Sequence, residues 1–105
     1  MPTVPATLVT VVAEKLLERD LVSAFQKLGA QGYTTTDAHG EGSRGIRASA
    51  WEGANVRIEM IVTPDVGARI VEHVAERYFT HHAVIVWTQQ VEVVRMGKYR
   101  PGEAT

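Results

Sequence analysis

The sequence predicts an α+β fold, with two amphipathic helices laid over one face of an antiparallel sheet, and three observations lead to it. Two segments carry apolar residues at spacings of three and four. The stretches around them are short and rich in β-branched residues. One of these, "NVRIEMIV", alternates apolar and polar residues as a half-buried strand requires.

In chain order, Met1 to Pro5 reads as a loose lead-in. "ATLVTVVAE", Ala6 to Glu14, has the β-branched content of a buried strand. A helix is expected from about Leu16 to Leu28, with Leu17, Leu21, Phe25 and Leu28 on one face and Ala24 filling it. Gly29 and Gly32 then turn the chain. "YTTTDA", Tyr33 to Ala38, is a second strand, and Asn55 to Val62 a third, with Val56, Ile58, Met60 and Val62 opposite Arg57 and Glu59. Thr63 as cap, Pro64 in the first turn and Asp65 at the positive end start a second helix that runs to about Tyr78. "AVIVWT", Ala83 to Thr88, and "QVEVVRM", Gln90 to Met96, read as a further strand and a short extra one; the tail from about residue 97 is irregular. The order β-α-β-β-α-β is the ferredoxin-like arrangement, and 105 residues suffice for one such domain spanning 1–105. No third helix is left to cover the second sheet face, so subunits are expected to pack through it.

The connection from His39 to Ala54 is long for adjacent antiparallel strands, which are usually joined by about two to five residues. It holds Gly40, Gly42, Ser43, Arg44, Gly45 and Arg47. Glycines allow close backbone approach, successive N–H groups form an anion nest, and arginine offers paired donors to phosphate or carboxylate. A solvated loop with ordinary surface arginines has the same composition, and composition leaves that choice open. No GKS or GKT follows the glycines, so a P-loop is not present, and Glu41 opposes an anion unless a cation offsets it.

Other chemistry is thinly represented. With no cysteine, thiol nucleophiles, disulfides and zinc thiolate sites are excluded. His81 and His82 are neighbours that point apart in an extended segment, and His39 and His73 add no ligand spacing, so no metal site is expected. Ser43 has no histidine–acid relay in sequence. Lys15, beside Glu14, reads as part of a solvated helix start. Trp87 is assigned to packing in core or interface, while Trp51 in the long connection has several available roles. A formal charge of −1 gives no field that favours nucleic acid. The start of the chain lacks the marks of a signal peptide, and no apolar run approaches a membrane span, so a cytoplasmic location is the expectation.

"EKLL", "GAxGYT", "GxGSRxxR" and "AxxYF", in this order between about Val9 and Val94, give the sequence a resemblance to the PII-like signalling proteins. It is most similar to the SbtB-like, carboxysome-associated regulators of inorganic-carbon uptake. The resemblance implies a homotrimer with an adenine nucleotide in each intersubunit cleft. It assigns Gly40, Gly42, Ser43, Arg44 and Arg47 to the phosphate side, at the base of a flexible loop of about residues 39–54. Thr34, Thr35 and Thr36 fall near adenine and ribose, and His81, His82 and Ala83 in the opposing loop.

Departures from the family pattern include Glu41 where lysine is frequent, no lysine before "VIVW", and no cysteine-bearing tail. They point to AMP or ADP rather than ATP, with cyclic AMP open and bicarbonate as a further ligand; no cofactor is implied. The implied function is non-enzymatic regulation, with a bicarbonate transporter or another membrane- or carboxysome-related protein as partner and peripheral attachment through it. The competing reading is a small oligomeric enzyme of the same fold acting on a phosphorylated or carboxylate small molecule. A nucleic-acid partner is not expected.

Overall fold

The computed structural model describes residues 2–40 and 54–94. Strand β1 (Val4–Glu14) leads through a 3-10 turn (Lys15–Leu17) into helix α1 (Glu18–Leu28). Strand β2 (Thr34–Ala38), strand β3 (Asn55–Val62), helix α2 (Pro64–Tyr78) and strand β4 (Ile85–Val93) follow. The sheet order is β2-β3-β1-β4 with every neighbouring pair antiparallel. This is the predicted ferredoxin-like topology.

One side of the sheet meets the helices. The alternation of β3 is realised fully: Val56, Ile58, Met60 and Val62 are all buried. From β1, Val9, Val11 and Ala13 join them; Leu21 and Phe25 come from α1, and Ile70 and Val74 from α2. Helix α2 approaches most closely at Gly67, where an added Cβ would stand 3.2 Å from Thr7 Cγ2. Helix α1 stops at Gly29, whose φ of 121° suits glycine. There Gly29 N–H donates to Gln26 O and Ala30 N–H to Phe25 O, the paired bonds of a Schellman cap.

Several boundaries differ from the sequence-based expectation. The lead-in is partly strand: Val4 pairs with Val93 and Pro5 with Glu92. Proline is tolerated there because β3 joins β1 only from Thr7 onward, so Pro5 has a neighbour on one side alone. The two C-terminal strands are one. Among the described residues β4 runs unbroken through Gln89 and Gln90, held in register by nine successive residues of the long β1, and no glycine or proline interrupts it. The first turn of the expected helix at Leu16 is 3-10 rather than α. Thr63 occupies the cap position with extended backbone, yet its hydroxyl makes no cap bond; it donates to Asp65 Oδ1 at 2.6 Å. That bond is the main reason the Asp65 carboxyl lies below the usual carboxylate range.

Among the described residues, no helix lies on the second sheet face. Cross-strand register places Thr34, Glu59, Thr10 and Trp87 in one row across it, with Thr36, Arg57, Val12 and Ile85 in the next. Ile61, Leu8 and Gln89 form the row on the other side.

Candidate functional site

A cleft of about 400 Å³ opens on this second face, lined by Leu8, Gly32, Tyr33, Thr34, Glu59 and Ile61. The β2–β3–β1 register creates it. Thr34 stands opposite Glu59, and Leu8 opposite Ile61, so an edge strand and two central strands supply adjacent walls. Tyr33, about half exposed, sits where the chain enters β2. Apolar side chains with a few polar groups, in a volume of some hundreds of cubic ångströms, are the usual make-up of a small-molecule site. Glu59 is the one carboxylate among the lining residues, and it brings hydrogen-bond acceptors alone.

Polar residues continue from Glu59 across the sheet. Arg57 Nη2 donates to Glu59 Oε2 at 3.4 Å, and the same guanidinium lies 5.4 Å from the centre of the Trp87 ring. The indole N–H of Trp87 donates to Gln89 Oε1 at 3.2 Å. Arg57 belongs to β3 and Trp87 to β4, so this contact passes over β1, where Thr10 is fully buried.

At the end of the sheet from which the long connection leaves, Lys15 holds both flanks. Its backbone N–H donates to Ala54 O at 2.7 Å, and its ammonium donates to Asp37 Oδ1 at 2.8 Å and lies 3.3 Å from Glu18 Oε1. The bond to Asp37, and then that to Glu18, raises the Lys15 pKa, while the Lys15 hydrogen bond holds the Asp37 carboxyl low. A depressed carboxylate stabilises above its unfolded value of 3.8 and loses that contribution as pH falls through the lower folded value. A raised ammonium contributes fully below 10.5 and loses its share as pH rises through the higher folded value. Replacing Asp37 with asparagine is therefore expected to lower stability slightly at pH 7 and to make no difference once acid has protonated the wild-type carboxyl. Urea midpoints of the two proteins against pH check this; a gap that persists unchanged into strong acid contradicts it.

The sequence-predicted site residues are distributed as follows. Thr34 lines the cleft, and Thr36 lies on the same sheet face beside Arg57. Thr35 pairs with the core residue Ile58 and so belongs to the helix-covered side, because neighbouring strand residues alternate between faces. Gly40 is exposed, and an added Cβ would meet nothing within 4 Å among the described residues. His81, His82 and Ala83 connect α2 to β4 and are not among the residues that line this cleft. His82 N–H donates to Tyr78 O, and the His73 and His82 rings lie 6.1 and 5.5 Å from the Tyr78 ring. Glu41, Gly42, Ser43, Arg44, Arg47 and Trp51 lie outside the described residues, as does the tail beyond 94.

Leu8, Gly32, Tyr33, Glu59 and Ile61 were not singled out from sequence as site residues. The alternation of β3 marks Glu59 as outward-facing, but only the pairing of β2 with β3 shows that it meets Thr34. Among the described residues, no group of three or more His, Asp or Glu side chains is placed to hold a metal ion. No described helix is long and apolar enough to cross a membrane.

Fold and cleft together define a ferredoxin-like domain with a recess beside the edge strand β2. The family model for nitrogen regulatory protein P-II matches residues 6–98, and the chain belongs to that family. A PII-like signalling protein from Thermus thermophilus is 54% identical, with a TM-score of 0.81 over 95% of this chain and 100% of its own. CPII from Thiomonas intermedia, solved with ADP and bicarbonate, shares the fold at 21% identity and a TM-score of 0.80, covering 94% of this chain and 98% of its own. CPII solved with ADP, AMP and bicarbonate gives 19% identity and a TM-score of 0.78, over 90% and 100%.

Proposed function

We propose that this chain is a non-enzymatic adenine-nucleotide sensor that binds ADP or AMP, with ATP and cyclic AMP as further candidates, in clefts between the subunits of a homotrimer. Occupancy is read out through the connection between β2 and β3 to a protein partner. Bicarbonate is an additional ligand, and regulation of inorganic-carbon uptake is the process. The partner is then a bicarbonate transporter or another membrane- or carboxysome-related protein, met from the cytoplasm.

The observation that carries this reading is the cleft at Thr34. It lies on the strand that the family resemblance assigns to adenine and ribose, and its volume suits a purine nucleoside. The binding of ADP, AMP and bicarbonate by CPII, a protein of the same fold, supports the choice of ligands. Gly40, Gly42, Ser43, Arg44 and Arg47 are then the phosphate side. His81, His82 and Ala83, which are not among the residues that line this cleft, contribute from the neighbouring subunit.

Calorimetric titration with AMP, ADP, ATP and cyclic AMP, with and without bicarbonate, tests the proposal alongside native mass spectrometry. Saturable binding of at least one nucleotide to a trimer is expected, with the nucleotide recovered chemically unchanged. An intact trimer that binds none of the four removes the proposal. Conversion of a nucleotide to product transfers support to the enzyme reading.

A further inference from the structure

Resting on the nucleotide reading above, we propose that Arg57 is a positioning residue for the cleft: it fixes the Glu59 carboxylate on the cleft wall and ties it to Trp87. The geometry brings three restraints together. Gln89 holds the edge of the Trp87 indole through the ring N–H, which leaves the ring face to the Arg57 guanidinium 5.4 Å away. The guanidinium in turn donates to Glu59, the one carboxylate lining the recess. A planar cation suits both tasks, since it stacks on an indole and donates from its edge at once. Thr10 lies fully buried in the row between Glu59 and Trp87, although no described helix covers that face.

The chemistry that follows concerns base selection. A carboxylate held in place by arginine accepts hydrogen bonds, so it favours a base edge that carries an amino group. Replacing that amino group by hydrogen leaves the shape almost unchanged and removes the donor. Discrimination between the two ligands therefore reads the position of Glu59. The emission of Trp87 reads the same event from the other end, because a ligand that draws on Glu59 alters the cation against the indole.

The test uses the full chain in a Trp51→Phe background, which leaves Trp87 as the single tryptophan. ADP is compared with the diphosphate of purine riboside, which lacks the 6-amino group. ADP is expected to bind about tenfold more tightly, the order of a charge-assisted hydrogen bond, and to change Trp87 emission. Arg57→Met should bring the two affinities within about threefold of each other and abolish the emission change, with the circular dichroism spectrum and subunit number retained. Arg57→Lys, which keeps the charge without the planar stack, should recover selectivity but not the full emission response. Glu59→Gln provides a second variant of nearly the same shape and should likewise lose the preference for ADP.

Undiminished selectivity and emission response in Arg57→Met would overturn the positioning role while leaving nucleotide sensing in place. Failure of both the wild-type and the Trp51→Phe protein to bind any adenine nucleotide would overturn both.

Discussion

Replacing Phe25 with alanine is expected to lower the unfolding free energy by about 3–5 kcal/mol, the range for truncating a buried phenylalanine. Phe25 is 1% exposed and belongs to the buried cluster that joins α1, α2 and the sheet. The loss exceeds the transfer term because the site has little freedom to collapse. Leu21 precedes Phe25 by one turn on the same rigid helix, and the sheet beyond is fixed by the β1–β3 ladder. The carbonyl of Phe25 also accepts the Ala30 N–H of the helix cap, so movement of α1 into the void would disturb its own terminus. A domain of this size has a total stability of about 5–15 kcal/mol, so the variant should lose a large part of it. Urea unfolding with an unchanged slope gives the measurement. Phe79→Ala is the control, since Phe79 is 44% exposed and its removal should alter stability by about 0.5 kcal/mol or less. Equal losses at the two positions would contradict the described core.

That contrast shows where sequence reasoning reaches and where it stops. Leu17, Leu21 and Phe25 recur at helical spacing, and Val56 to Val62 alternate, because each element must turn one face inward; both patterns survive in the structure. The Schellman bonds follow from a glycine at the right place. Strand ends were less legible. Val4 and Pro5 look like a lead-in locally, and their pairing depends on β4, nearly ninety residues away. The break assumed between Thr88 and Gln90 had no turn residue behind it, and a long β1 holds the whole of β4.

The cleft was legible in one residue and hidden in five. Thr34 was reached through a family resemblance. Leu8, Glu59 and Ile61 become its neighbours only through register, which depends on contacts across three strands. Thr34, Thr35 and Thr36 are consecutive in sequence, but the two-residue strand period sends Thr35 to the helix-covered face. For the second sheet face the sequence supports only an expectation of packing between subunits. Its polar centre, Arg57 over Trp87 and against Glu59, joins residues thirty positions apart and leaves no mark in a sequence window.

Filling the cleft from Thr34 separates the site from the scaffold. Thr34→Trp is expected to weaken ADP binding by about 100-fold or more, which corresponds to roughly 2.7 kcal/mol, with the thermal midpoint nearly unchanged. Both halves of that expectation come from position. Thr34 is exposed on an edge strand that pairs with β3 alone, so a larger residue meets no packed core, and tryptophan suits an extended backbone. The same side chain projects from the face that carries Glu59 and Ile61, and the recess of about 400 Å³ offers an indole a place to bury its area. An indole resting there occupies the volume that the base requires. Thr34→Ser keeps the hydroxyl and removes one methyl, so it should retain most of the affinity. The two variants together distinguish blockage from loss of a hydrogen bond: blockage spares serine and abolishes binding with tryptophan. Full ADP affinity in a folded Thr34→Trp protein would move the nucleotide site away from this cleft.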